Sequence, residues 1–382
     1  MNILVLGGDG YLGWPTAMHL SRLGHQVMAV DNYFRRNECK KLGLRPLFSE
    51  YSLEDRAKIW HERSGSSVGV AIGDITDYQF LERIIRNHQP DAIVHYAEQP
   101  SAPYSMMGRD QALFTIRNNI IGTANVVYAV KENAPGCHIV KLGTMGEYGT
   151  PNIDIEEGYI EIEHKGRRDR FLYPRQANSL YHTTKIQDTD LLYLYVRIWG
   201  LRVTDLMQGP VYGIFTGENE LDERLRSFFN YDAVFGTVLN RFVAQAACGH
   251  PLTVYGKGNQ KRGYLDIRDT LRCVELAIQH PAKGGELRIF NQFTETFSVN
   301  ELAVKVREAA EEMGIRATIE HIPNPRKEDE DHYYNATNQA FMKLGLRPHH
   351  LTQATLKRML EAVSEHRNEI ERTVLEPRVV WS

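Results

Sequence analysis

Five short apolar runs, at residues 3–6, 26–30, 68–72, 92–95 and 138–142, are separated by longer stretches where apolar residues recur every three or four positions. The runs fit buried strands, and the recurring spacing predicts helices over 11–23, 78–87 and 111–132. Thr76 and Gln79, three apart, form a capping-box pair ahead of the second helix. A further helix over 181–199 leads into a sixth strand at 202–207. Strands alternating with helices predict an α/β chain built on a doubly wound parallel sheet.

Two stretches interrupt the alternation. Residues 33–65 carry a charged helix that Ser52 and Asp55 cap, and residues 151–175 are polar and irregular. Beyond about 210 the pattern loosens into short strands at 252–255 and 287–290. Helices follow over 299–312, opened by a Ser298/Glu301 capping box, and over 351–372. The expected layout is a first domain over 1–210, with insertions near 33–65 and 151–175. A smaller mixed α/β domain for the substrate takes most of 211–382, with some segments returning to the first domain.

Composition narrows the function classes. Of 382 residues, 42% are hydrophobic and 24% charged, and the net charge of -3 provides no electrostatic case for nucleic acid or an anionic membrane. No apolar run approaches the roughly 18 residues of a membrane span. The first strand begins at residue 2, which leaves no leader and points to the cytoplasm. Cys39, Cys137, Cys248 and Cys273 lie far apart, and the 15 histidines are scattered, so reduced thiols and no metal site are expected.

Candidate chemistry begins at the end of the first strand. Gly7, Gly10 and Gly13 have the spacing that tightens a turn, lets backbone approach a pyrophosphate and packs the next helix close. The second strand ends in Asp31, whose carboxylate suits the two ribose hydroxyls of NAD and repels the 2′-phosphate of NADP. Tyr11, Leu12, Asn32, Tyr96, Asp74 and Ile75 complete the expected Rossmann-type dinucleotide site. Arg35 and Arg36 follow closely and could argue for NADP; they read otherwise as solvated surface or as contacts to the cofactor's own phosphates, and are assigned to the cofactor site with NAD favoured.

Tyr181 and Lys185 stand four apart, hence on one helical face. An ammonium there can depress the phenol's pKa and make Tyr181 a base for a sugar hydroxyl. Thr144, at the end of the fifth strand, is the third member. With the N-terminal dinucleotide motif, these residues resemble the extended short-chain dehydrogenases, largely nucleotide-sugar epimerases and dehydratases. That likeness implies hydride transfer at C4 of a sugar.

A narrower resemblance spans nearly the whole chain. Gly8-Asp9-Gly10-Tyr11, Ser101-Ala102-Pro103-Tyr104-Ser105-Met106 and Lys141-Leu142-Gly143-Thr144-Met145-Gly146-Glu147-Tyr148 are similar to segments of the UDP-sulfoquinovose synthases. So are Pro251-Leu252-Thr253-Val254-Tyr255-Gly256, Arg262-Gly263-Tyr264-Leu265-Asp266 and Pro323-Asn324-Pro325-Arg326. The resemblance implies UDP-glucose and sulfite as substrates and a tightly bound NAD that is recycled every turnover. The related 4,6-dehydratases carry Asp-Glu where this chain has Met145-Gly146, so C5/C6 proton transfer falls to Glu147 or His182. The plant-type pattern has an arginine where Pro100 stands, which leaves sulfite to another cation. Substrate contacts are expected from Gln99, Ser101, Thr144, Gln208, Thr237, Arg241, Thr253, Val254, Tyr255, Arg262 and Arg326.

The resemblance also implies a homodimer through Leu113, Ile116, Ile120, Leu192 and Val196, and leaves room for a sulfite-delivering protein. Two other readings stay open. One is a UDP-glucose 4-epimerase or dehydratase without sulfur chemistry. The other is an NAD-binding regulator without catalysis, which the presence of both Tyr181 and Lys185 disfavours.

Overall fold

The computed structural model describes residues 1–48, 50–326 and 331–381. Its centre is a seven-stranded, wholly parallel sheet. The strands are β1 (Asn2–Leu6), β2 (Gln26–Asp31), β3 (Val68–Ile72), β4 (Ala92–His95), β5 (His138–Thr144), β6 (Arg202–Gln208) and β7 (Glu286–Gln292). Their order is β7-β6-β5-β4-β1-β2-β3. The winding reverses between β1 and β4, so a crevice opens at the carboxyl ends of those two strands. Continuous apolar runs suit strands covered on both faces. One face carries Leu4, Ile93, Ile139 and Val203 under the Tyr78–His88, Gly122–Asn133 and Leu180–Trp199 helices. The other carries Ile3, Val5, Val94 and Leu206 beneath Trp14, Met18 and Leu276. A third core, around Phe242, Val254, Val306 and Leu360, holds the C-terminal helices together.

Several expectations change on folding. The run at 287–290 is no outlying strand: Glu286–Gln292 pairs in parallel with β6 and closes the main sheet. The irregular stretch at 151–175 contains an exposed antiparallel hairpin, Tyr159–His164 with Arg167–Leu172. Residues 33–65 form two helices, Phe34–Lys41 and Leu53–Ser64; Ser52 caps the second by accepting the Asp55 N–H. The Tyr78–His88 helix is capped by Asp77, not Thr76, because Asp74 takes the Thr76 hydroxyl at 2.8 Å. The 111–132 helix is broken by a wider π-turn at Arg117–Ile121. The Ser298/Glu301 capping box forms as expected, whereas the last helix is limited to Gln353–Glu365.

Of the five residues expected at a dimer face, Leu192 and Val196 point into their own core. Leu113 and Ile116 are exposed and Ile120 is half-buried, while Ile121, Leu194 and Ile198, not among the five, lie open on the same group of helices. Among the described residues no helix is long and apolar enough to cross a membrane.

Candidate active site

A cavity of about 510 Å³ opens at the crevice between β1 and β4. Its floor is the turn after β1, where the Gly7 and Gly8 N–H groups bond to Val30 O at 2.8 and 2.9 Å. Gly13 sits so near this turn that a Cβ would lie 1.9 Å from Gly7 O. Only glycine leaves that cradle open, and the Gly13–Arg22 helix then aims its first N–H groups at the cavity. Tyr11, Leu12, Asn32, Ile75 and Tyr96 also line it. Asp31 accepts the Asp9 N–H at 2.9 Å and the Tyr33 N–H at 2.7 Å, and its carboxylate borders the cavity. Burial, with Asp9 nearby, pushes the Asp31 carboxyl up to about 6. These residues fit a dinucleotide: an unfilled cradle for pyrophosphate beside an acceptor for ribose hydroxyls.

Two assigned cofactor residues do other work. Arg36 is ion-paired to Asp9 at 2.6 Å, alongside the fully buried Arg56, and stays off the cavity wall. The reason is the buried Asp9 carboxylate, which needs cations more than a solvated phosphate does. Asp74 is spent locally, accepting from Asn32 Nδ2 at 3.0 Å and from Thr76, while Gly73 and Ile75 face the cavity. Arg35 does reach it, bonded to Asn230 at 3.0 Å and stacked on Phe235.

Thr144 and Tyr181 both line the cavity wall. Lys185 is one turn further along the same helix but is fully buried, its ammonium donating to Glu98 and to Leu142 O. That corrects the expected electrostatics. Burial, then the Glu98 carboxylate, hold the Tyr181 phenol well above its ordinary pKa, with Lys141 and Thr144 pulling the other way. Lys141, buried inside β5, was not singled out in the sequence; its Nζ stands 3.5 Å from Asp205.

Glu147 does not face the cavity. Thr144 caps the short Met145–Glu147 turn, and Glu147 folds back to accept the Thr144 N–H at 3.3 Å. It is wholly buried, 3.9 Å from Lys141 Nζ and 3.5 Å from Arg175 Nε. Its expected acid–base role on the sugar is therefore lost to position. His182 does line the cavity, with ring Nδ1 3.0 Å from Ser179 Oγ.

Toward the C-terminal half, Gln208, Thr237, Arg241, Tyr255, Arg262 and Arg326 line the same cavity. Arg241 donates to Tyr255 Oη at 2.7 Å and to Thr253 O at 3.1 Å, its guanidinium lying over the Tyr255 ring. Thr253 and Val254 are set behind the wall, Thr253 being engaged by Gln245. Strand alternation turns Val254 to the face opposite Tyr255, while Thr253, on the same face as Tyr255, is taken up by Gln245. Gln99 is likewise buried, its side chain bonding Ser101 and Thr115. Ser101 reaches the wall and donates to Val234 O. Phe235, Asn178 and Trp381 line the cavity without having been anticipated. Trp381, near the C-terminus, pairs with Arg326 through an isolated bridge that no local pattern announces.

Residues 3–291 match the model of the NAD dependent epimerase/dehydratase family. The chain is 51% identical over 379 residues to a chloroplastic UDP-sulfoquinovose synthase of Spinacia oleracea, covering 99% of this chain and 79% of that one. It is 43% identical over 384 residues to a UDP-sulfoquinovose synthase of Sulfolobus acidocaldarius, covering 100% and 98%. In fold it is similar to a Bifidobacterium longum UDP-glucose 4-epimerase in complex with NAD+ and UDP. That likeness has a TM-score of 0.73, at 20% identity over 97% of this chain and 99% of the other.

Proposed function

The chain belongs to the NAD dependent epimerase/dehydratase family and, within it, to the UDP-sulfoquinovose synthases, and from that premise we propose that it joins sulfite to UDP-glucose to form UDP-sulfoquinovose. One observation carries the reading. A single cavity is lined by the glycine turn and Asp31, by Thr144, Tyr181 and His182, and by Arg241, Arg262 and Arg326. Cofactor cradle, proton carriers and phosphate-binding cations thus share one enclosure.

Held by the turn of Gly7, Gly10 and Gly13 and by Asp31, a bound NAD would supply the hydride acceptor and donor for C4 of the sugar, a redox-neutral use that would let it remain on the protein. Asp31 selects NAD by accepting the ribose hydroxyls. Tyr181 receives the proton of the 4-hydroxyl, Thr144 holds that oxygen, and Lys141 is the buried cation that pulls the phenol's pKa down, with Lys185 holding the Glu98 carboxylate. With C4 a ketone, the C5 hydrogen is acidic. His182 removes it and passes it to the 6-oxygen, which leaves as water. Sulfite adds through sulfur at C6 of the resulting enone, and the proton of bisulfite returns to C5. The ketone is reduced as Tyr181 gives its proton back.

Arg262 and Arg326 bind the diphosphate, for which planar guanidinium groups are suited. Thr237, Arg241 and Tyr255 hold the uridine end. On this reading residues 1–210 carry the cofactor and 211–382 mainly the UDP-sugar. The exposed Leu113, Ile116, Ile121, Leu194 and Ile198 form a homodimer face. Sulfite arrives free or from a delivering protein.

The test is mass spectrometry of the purified protein incubated with UDP-glucose, with and without sulfite. A product in which sulfonate replaces one hydroxyl, made only with sulfite, is expected. Epimerised or dehydrated sugar formed regardless of sulfite would refute the carbon–sulfur step.

A further inference from the structure

We propose that Ser179 is a positioning residue that presents His182 Nε2 to the sugar, with Gly146 keeping the room that this ring needs. The inference rests on the role given to His182 above. Ser179 is the N-cap of the Leu180–Trp199 helix, and its Oγ accepts the His182 N–H at 3.3 Å. The same oxygen stands 3.0 Å from His182 Nδ1. One hydroxyl therefore fixes both the backbone and the ring of the residue three positions on.

The opposite edge of the ring is fixed by shape. A Cβ at Gly146 would lie 2.3 Å from His182 Nε2 and 2.4 Å from Cδ2. Those distances are far inside van der Waals contact, so the imidazole packs where any larger residue would put a side chain. Ser179, His182 and Gly146 all line the cavity. The ring is thus held from its Nδ1 side by a hydroxyl and given space on its Nε2 side by a glycine.

The chemistry follows from which nitrogen is tied. With Nδ1–H donating to Ser179 Oγ, the neutral ring keeps its lone pair on Nε2. Nε2 can then accept the C5 proton as the electron pair moves into the enolate. As the C6–O bond breaks, the same Nε2–H protonates the departing oxygen, and the neutral imidazole is restored. A single nitrogen on one face of the sugar does both steps, so no second carboxylate is required. That agrees with the burial of Glu147 away from the cavity.

Three variants separate positioning from mere capping. Glycine is a tolerable N-cap, costing only a few tenths of a kcal/mol relative to serine. Ser179→Gly should therefore keep the wild-type Tm and the KM for UDP-glucose, while kcat falls roughly 10- to 100-fold through loss of alignment. Ser179→Thr, which keeps the hydroxyl, should restore most of kcat. Gly146→Ala meets only the end of a side chain, so it should leave Tm in place and lower kcat similarly. A readout independent of turnover is ¹⁵N NMR of the His182 ring in the resting, NAD-loaded protein. Wild type should show protonated Nδ1 and unprotonated Nε2, and Ser179→Gly a mixture of tautomers.

A wild-type ring protonated at Nε2, or a Ser179→Gly variant with unchanged kcat and ring shifts, overturns the inference. If Ser179→Gly does not fold, Gly146→Ala and the wild-type spectrum still decide it. Failure of the wild type to make a sulfonated product would instead sink the functional reading, while the ring spectra continue to judge Ser179.

Discussion

Replacing Glu147 by alanine should damage the fold more than the chemistry. The side chain is fully buried, accepts the Thr144 N–H, and neighbours Lys141 at 3.9 Å, Arg175 at 3.5 Å and the Thr189 hydroxyl at 3.2 Å. Removing one partner from such a buried charged group costs about 3–5 kcal/mol, because the remaining cations cannot recover their hydration. Melting entropy of about 2.1 cal/mol/K per residue over 382 residues is about 0.8 kcal/mol/K, which converts the loss into a Tm lower by about 4–6 °C. Calorimetry of the NAD-loaded protein would read the shift, and sulfite-dependent turnover well below Tm would read the chemistry. We expect kcat within about tenfold of wild type, since Thr144, Tyr181 and His182 line the cavity and Glu147 does not. A Tm within 1 °C of wild type, joined to a loss of kcat of roughly 100-fold or more, would make Glu147 a proton carrier on the sugar and refute the reasoning.

Other perturbations test the rest of the site. Glu98→Gln removes the carboxylate that, after burial, most raises the Tyr181 phenol, so the rising limb of kcat against pH should move to lower pH. An unmoved limb would show that Glu98 does not govern Tyr181. Asp31 ionises near pH 6, and ribose hydroxyls favour its ionised form, so its pKa falls on binding and NAD affinity should strengthen as pH rises through about 6. Calorimetric titration of NAD-stripped protein between pH 5 and 8 checks this. Asp31→Asn should bind weakly at every pH, and a flat wild-type profile would contradict the assignment. Arg241→Lys loses a fork that bonds Tyr255 and Thr253. Such charge-assisted bonds contribute about 1.5–3 kcal/mol, so the KM for UDP-glucose should rise roughly 10- to 100-fold with kcat little changed. An unchanged KM would remove Arg241 from the substrate site.

Much of the cofactor half was legible along the chain because its chemistry is local. The spacing of Gly7, Gly10 and Gly13, an Asp at the end of the next strand and a Tyr–Lys pair one helical turn apart are all set by backbone geometry over a few residues. Ser179 could have been read the same way, as a serine three positions ahead of His182. What a side chain faces is decided by neighbours far away in sequence. Glu147 turns inward because Lys141, Arg175 and Thr189 meet behind β5, and Arg36 leaves the phosphates because Asp9 is buried without water. Glu286–Gln292 becomes the seventh strand of the main sheet only because β6 offers it an edge, not through its own pattern. Periodicity within one element thus determined which elements exist and where a dinucleotide turn begins. The low dielectric of the interior, acting between distant segments, decided which charges pair with each other and which are left facing the cavity.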